Sequence, residues 1–309
     1  MAAFVLVISL AVVALAGCNP QPQASDGPQA TATSPSPTAS VSATAAVATL
    51  GPESAPLVIP APADLSRRPV IALYQKDPWA MVLGAEIPSL VIYADGTVLR
   101  AAPSPPRLVE GRITRIPTGD LEALLAAEPA HSSTTMATDQ PTVTILVDTP
   151  KGWLMRSVYG LNGEGRPTFS RSATPPSPAF LDALATLREL KVVGARDYVP
   201  EQIEIMLWGY EHSPVAPAPW PASIPAPPPR APPPHGVIHH VVAGSLLGDF
   251  DRFRATLGSR QAVAFAGHKW SVSRRVLVPA DAYLRKVRAD TWRVYAEAVN
   301  QRRAKRPTR

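Results

Sequence analysis

Between Pro214 and His235 the chain carries 11 Pro in 22 residues. Proline lacks an amide hydrogen and fixes φ near −65°, so this stretch is barred from helix and from the middle of a sheet. Its backbone must run largely as polyproline II, with a reach of up to about 68 Å at ~3.1 Å per residue. The segment is then either a spacer between two bodies or a strap laid across one body and pinned by Trp220 and Ile224. The strap is favoured, because a free linker has little use for a Trp in solvent. A second biased stretch lies nearer the N-terminus: from Asn19 to Pro56, 29 of 38 residues are Ala, Pro, Ser, Thr or Gly, and only Asp26 and Glu53 are charged. Such a composition buries too little apolar surface to offset its ordering entropy. A disordered tether is therefore expected over 18–66 and a folded region over 67–309, in which 236–309 is open to being a second lobe.

Hydrophobic periodicity marks the remaining elements. Pro69 to Tyr74 and Trp79 to Leu83 read as short apolar strands. Ser89 to Tyr93 and Thr97 to Arg100 flank Ala94-Asp95-Gly96, and Asp-Gly readily takes the positive φ values of a tight turn, so a hairpin is expected. Thr142 to Val147 and Trp153 to Tyr159, around Pro150-Lys151-Gly152, make a second; Ala262 to Ala266 and Trp270 to Val278 make a third. Helices are expected over Asp120 to Ala127 with Thr118 as N-cap, and over Pro178 to Leu190 with Ser177 as cap and Pro at the first position. Two more are expected over Leu246 to Leu257, ended by Gly258, and from Pro279 to Gln301. Ile203 to Trp208 and Val237 to Val242 read as strands. Hairpins mixed with helices, without regular strand-helix alternation, place the fold in the α+β class.

Cys18 is the only cysteine. That excludes an intramolecular disulfide framework, a multi-thiolate zinc site and a CxxC redox pair. It follows MAAFVLVISLAVVALAG, in which Ser9 is the one polar side chain, a run that matches a secretory hydrophobic region and is short for a membrane span. The run closes on Leu15-Ala16-Gly17-Cys18, which resembles the lipobox of bacterial lipoproteins; the resemblance covers the export segment alone. It implies a signal peptide over 1–17, cleavage between Gly17 and Cys18, and covalent diacylglycerol and N-acyl lipid on Cys18. It further implies residence in the cell envelope, anchored to the outer membrane or to the outer leaflet of the plasma membrane. Two or three acyl chains hold where one does not, each buried methylene contributing about 0.8 kcal/mol. An ordinary cleaved signal peptide or an N-terminal core helix is the alternative, though a core helix would not run into a long polar tract. At about 5 to 6 Å times the square root of its length, the tether would average some 30 to 40 Å.

Charge is divided unevenly along the chain. From Arg67 to Phe250 there are 15 basic and 17 acidic residues, whereas from Asp251 to Arg309 there are 15 basic and 4 acidic. On the last helix Tyr283, Leu284, Val287, Val294, Tyr295 and Ala298 share one face, and basic side chains lie opposite. Arg285, Arg288, Arg293, Arg302, Arg303, Lys305 and Arg306 are the candidate contacts for an anionic lipid, a wall polymer or an acidic protein, at about 1 kcal/mol per basic residue near a charged membrane. A solvated helix that merely keeps the protein soluble is the equal alternative. Nucleic acid is not expected for an exported chain.

Motifs that carry chemistry are sparse. His235, His239 and His240 form an HGVIHH cluster in which His235 and His239 would share a strand face and offer imidazoles to a metal. No HExxH pairing and no nearby carboxylate completes the set, so a strand entrance with partly exposed histidines is the better reading. Gly160-Leu161-Asn162-Gly163-Glu164-Gly165-Arg166 has the glycine content of a phosphate loop without its order, and Pro167 stands where a helix would begin. The chain offers no GxSxG elbow and no SxxK pair. No cofactor is expected beyond the lipid on Cys18. The expected role is a lipid-anchored envelope protein acting as a non-enzymatic binding module with a basic C-terminal helix; an envelope hydrolase with a site assembled from distant residues, or a subunit of an envelope assembly, are the alternatives. Metabolic labelling with a radioactive fatty acid should mark the native chain in the membrane fraction and leave Cys18→Ser unlabelled; label in neither chain would remove the anchor.

Overall fold

The computed structural model describes residues 56–63, 65, 67–77, 86–103, 106–135, 137–168, 175–229 and 236–304. Gly17, Cys18, His235, Lys305 and Arg306, most of the expected tether and the strand expected at 79–83 lie outside the described residues. The α+β expectation holds: among the described residues two sheets stand with four α-helices.

The larger sheet has eight strands, β1 (Pro69–Lys76), β2 (Leu90–Tyr93), β3 (Thr97–Pro103), β4 (Pro106–Arg112), β5 (His131–Ser133), β6 (Thr142–Thr149), β7 (Gly152–Tyr159) and β8 (Val193–Asp197), in the order β5-β7-β6-β1-β2-β3-β4-β8. Every pairing is antiparallel except β5 with β7. The expected hairpins are there: Ile92 pairs with Val98 around Asp95-Gly96, and Val147 with Leu154 around 150–151. Gly96 sits at φ +81°, and an added Cβ would stand 2.9 Å from the Ile113 carbonyl oxygen, so only glycine turns the chain there.

Both faces of this sheet are covered, which is why β1 and β6 read as continuous apolar runs. Ile71, Leu73, Ile145 and Val147 point one way, toward α1 (Thr118–Leu125) and α2 (Pro178–Arg188). Ala72, Tyr74, Tyr93 and Trp153 point the other way, toward α4 (Asp281–Ala304) and residues 59–65. The fold therefore begins before residue 67. Leu57 pairs with Trp153 in an antiparallel bridge, and Ile59, Ala61 and Leu65 pack beside α4, because sparse apolar residues among prolines still find an aromatic face to cover. Gly152, at φ +116°, lets the Leu57 backbone approach; a Cβ there would meet its carbonyl at 2.7 Å.

The smaller sheet, β10-β12-β13-β9-β11, is built from β9 (Gln202–Gly209), β10 (Val215–Pro219), β11 (Ile238–Ala243), β12 (Gln261–Phe265) and β13 (His268–Val276). It straddles the proline-rich segment, taking β9 from before it, β10 from its first residues and the other three strands from after it, while α4 returns to the larger sheet. A boundary at 236 therefore divides no body from another. The segment's prolines keep β10 at an edge. Trp220 donates through its amide to the Ala264 carbonyl and through Nε1 to the Ile224 carbonyl, and Ile224 is buried. Ile203, Ile205, Leu207, Val272 and Val276 face α3 (Leu247–Thr256) through Phe250.

Helix ends show a device the sequence did not announce. Ser177 caps α2 as expected, its hydroxyl accepting from the Phe180 amide. By contrast α1 starts at Thr118 itself after Pro117, without a side-chain cap; Thr118 is inside the helix because Pro117 already fixes the entry. At the other ends, arginines from the sheet meet orphan carbonyls, as a helix C-terminus favours. Arg156 on β7, 1% exposed, donates to Leu125, Ala126 and Met155 carbonyls, and Arg100 on β3 donates to Leu187 and Leu190 carbonyls. Burial pushes the Arg156 guanidinium down to about 10, against the opposing pull of Glu128.

The far half of α4 docks on the β5 edge. His131 lies 5.5 Å from the Trp292 ring and 5.9 Å from the Tyr295 ring, with Nδ1 buried and unpartnered.

Arg156→Leu should lower stability by about 2 to 4 kcal/mol in urea unfolding, since buried carbonyls are left unmet; Arg100→Leu should cost less, because Arg100 is only half buried. Equal losses would show that the carbonyl contacts are not what matters. Burial also holds the His131 imidazole below its ordinary 6.5. Unfolded chains then take up that proton first, and stability should fall as pH drops below about 6.5 toward the folded value. His131→Phe, which preserves the ring contacts, should flatten that acid limb in thermal melts; an unchanged slope would assign it to other groups.

Candidate functional site

The two sheets meet through Ile87, Leu108 and Tyr198, which touch both adjoining cores. Beside this seam the described residues bound an open groove of about 810 Å³. Its floor is apolar, formed by Ile87, Leu108 and Val276, and its width comes from Ala101 and Ala102 at the end of β3, which leave space where larger side chains would fill it. Polar groups ring it. Arg107 Nε lies 2.8 Å from Asp197 Oδ1, and Arg274 reaches Asp251 through two contacts of 2.8 and 2.7 Å. On the opposite rim the Thr168 hydroxyl donates to Gln140 Oε1 at 2.6 Å, near Gln75 and Asp139. The arginines are thus aimed by carboxylates outside the groove, which suits a site that binds an apolar body with polar edges.

A second polar cluster lies behind the smaller sheet. Arg275, 1% exposed, meets Glu204 at 2.5 Å and Asp281 through two bonds of 3.1 and 2.8 Å. Arg285 joins at 3.1 Å from Asp281 and 3.6 Å from Glu204. Burial alone would raise the Glu204 carboxyl, but Arg275, His239 and Arg285 together hold it below the usual range. The cluster is closed by its own charges and joins α4 to the sheet.

The sequence candidates fall in different places. His239 and His240 point to opposite faces of β11: His239 Nδ1 is 3.3 Å from Glu204, and His240 Nε2 is 2.8 Å from the Pro225 carbonyl. Among the described residues no three His, Cys, Asp or Glu side chains form a metal-holding group. The segment 160–166 is a turn, in which Asn162 Oδ1 accepts from the Glu164 and Arg166 amides.

Tyr283, Leu284 and Val287 are buried on α4 as the periodicity predicts. Its arginines divide. Arg285 and Arg288 turn inward, Arg288 to Glu86 at 2.9 Å and over the Tyr74 ring at 4.6 Å. Arg293 is exposed beside Glu297, while Arg302 and Arg303 lie on the last turn. The groove residues escaped the sequence reading because Ala101, Ala102, Arg107 and Arg274 carry no local signature; only the meeting of two sheets gathers them.

No family model matches the chain, and comparison with characterised proteins and with solved structures finds no similar protein.

Proposed function

We propose that the chain is a lipid-anchored cell-envelope protein that binds a ligand and does not transform it, held by Cys18 in the outer membrane or the outer leaflet of the plasma membrane. The lipobox supports the anchor, and the seam groove supports binding. The single observation that carries the binding role is that groove's chemistry: an apolar floor over about 810 Å³, rimmed by side-chain amides, hydroxyls, the carboxylates of Asp77 and Asp139, and two arginines already held by Asp197 and Asp251. Arginines held in this way orient and select a ligand by its polar edges. Ala102, partly exposed on β3, gives a means of closing the groove without disturbing the core. Protein purified from its own membranes should yield a small molecule by mass spectrometry that Ala102→Trp lacks, with both chains melting alike. Identical extracts from the two would remove the groove as the binding site.

A further inference from the structure

We infer that the ligand of the seam groove is a short peptide in extended form, with its free amine at the β6 and β1 end and its carboxylate at the β4 end. The inference deepens the binding role proposed above and rests on it; its own support is the order in which the strands bring charge to the groove. The groove crosses the strands at one end of the larger sheet. Thr142, at the start of β6, pairs with Lys76 at the end of β1. The Ser89 amide, just before β2, donates to the Leu73 carbonyl of β1 at 2.8 Å, and the Ala101 amide of β3 donates in turn to the Ser89 carbonyl at 2.8 Å. Ala102 then pairs with Arg107 on β4. Along this row the carboxylates come first, Asp139 shortly before β6 and Asp77 directly after β1. The approach to β2 and the end of β3 bring only Ile87, Pro88, Ser89, Ala101 and Ala102, with no charge among them. The arginines come last, Arg107 from β4 and Arg274 from β13, whose Val276 packs in the core that Leu108 also touches.

A ligand that meets both ends needs opposite charges held far apart. From β6 to β4 there are four strand spacings, roughly 19 Å at about 4.8 Å each. An extended peptide rises ~3.3 Å per residue and the rim side chains reach inward, so about four to five residues span the gap. At neutral pH its amine is protonated and its carboxylate ionised. A single amino acid or a betaine carries both charges within a few bonds and reaches one end alone. A polyamine has no group for the arginines, and a fatty acid has none for the carboxylates. The basic end suits a carboxylate. Arg274 holds Asp251 through Nε and Nη2 at 2.8 and 2.7 Å, so Nη1 lies outside that pair, and the side chain is 29% exposed. A guanidinium fork can bond a second acceptor in this way without giving up the first. Between the ends, the floor of Ile87, Leu108 and Val276 covers apolar side chains, while the open mouth leaves the peptide backbone in water.

The probe is the peptide Ala-Val-Ala-Val-Ala with free termini, titrated calorimetrically into the full chain beside its N-acetylated and C-amidated forms. Expected is binding of the free peptide, lost in Ala102→Trp and weakened about three- to fivefold by blocking either end, as for exposed ion pairs. Asp77→Asn with Asp139→Asn should cancel the penalty of acetylation and leave that of amidation, and Arg107→Gln with Arg274→Gln should do the reverse. None of the four side chains is buried, and Asn tolerates the φ of +55° that Asp139 holds, so both variants should melt as the native chain does. Equal affinity for free and blocked peptides, or none for either, would overturn the inference. The binding role then stands if extracts of the native chain still hold a small molecule that Ala102→Trp lacks, and falls with the inference if the two extracts match.

Discussion

Arg275 stands at the point where the two sheets are fastened. It sits on β13 with almost no exposure, bonded to Glu204 on the neighbouring strand and to Asp281 in the first turn of α4. A guanidinium taken out of water is tolerated only when its donors are met, and removing one partner of such a cluster typically costs about 3 to 5 kcal/mol. The residues between β13 and α4 are held by hydroxyls as well, Tyr93 to the Pro279 carbonyl and Tyr198 to the Leu277 carbonyl. The direction in which α4 sets off across the larger sheet follows from these contacts. The position of everything it covers, including Trp153, the 57–65 segment and His131, follows in turn.

Arginine does the same structural work elsewhere in the fold. Arg156 and Arg100 reach from the larger sheet to the C-terminal carbonyls of the helices that cover it, and so join two layers by hydrogen bonds where packing alone would permit sliding. The guanidinium fork suits this role, since several donors in a fixed plane can satisfy carbonyls that no backbone amide reaches. The C-terminal excess of basic residues looks different once these partners are known. Arg274, Arg275, Arg285 and Arg288 are all engaged with carboxylates inside the fold.

The groove is a by-product of how the sheets join. Ile87, Leu108 and Tyr198 seal the seam, and the small side chains at 101 and 102 leave its margin unfilled. Loops and sheet margins of this kind place polar groups around an apolar floor without loading the core, which is where ligand sites commonly arise.

Several elements were legible in the order of residues because their causes are local. Asp95-Gly96 turns a hairpin through a positive φ, Ser177 and Pro178 start a helix through one capping bond and one fixed dihedral, and the spacing of Tyr283, Leu284 and Val287 makes an amphipathic face. Four strands were not legible. β4 and β10 carry prolines, β5 has only three residues, and every residue of β8 is exposed. Each owes its place to a neighbouring strand and not to its own pattern. The strand order, the docking of 57–65, the arginine caps and the groove are likewise tertiary outcomes. Their partners lie tens to hundreds of residues apart, and a contact between such groups exists only once the intervening chain has folded. The sequence by itself determined where the chain turns, where its helices start and where its positive charge collects; the tertiary structure decided which of those charges meet carboxylates inside the fold, because those partners lie on other elements.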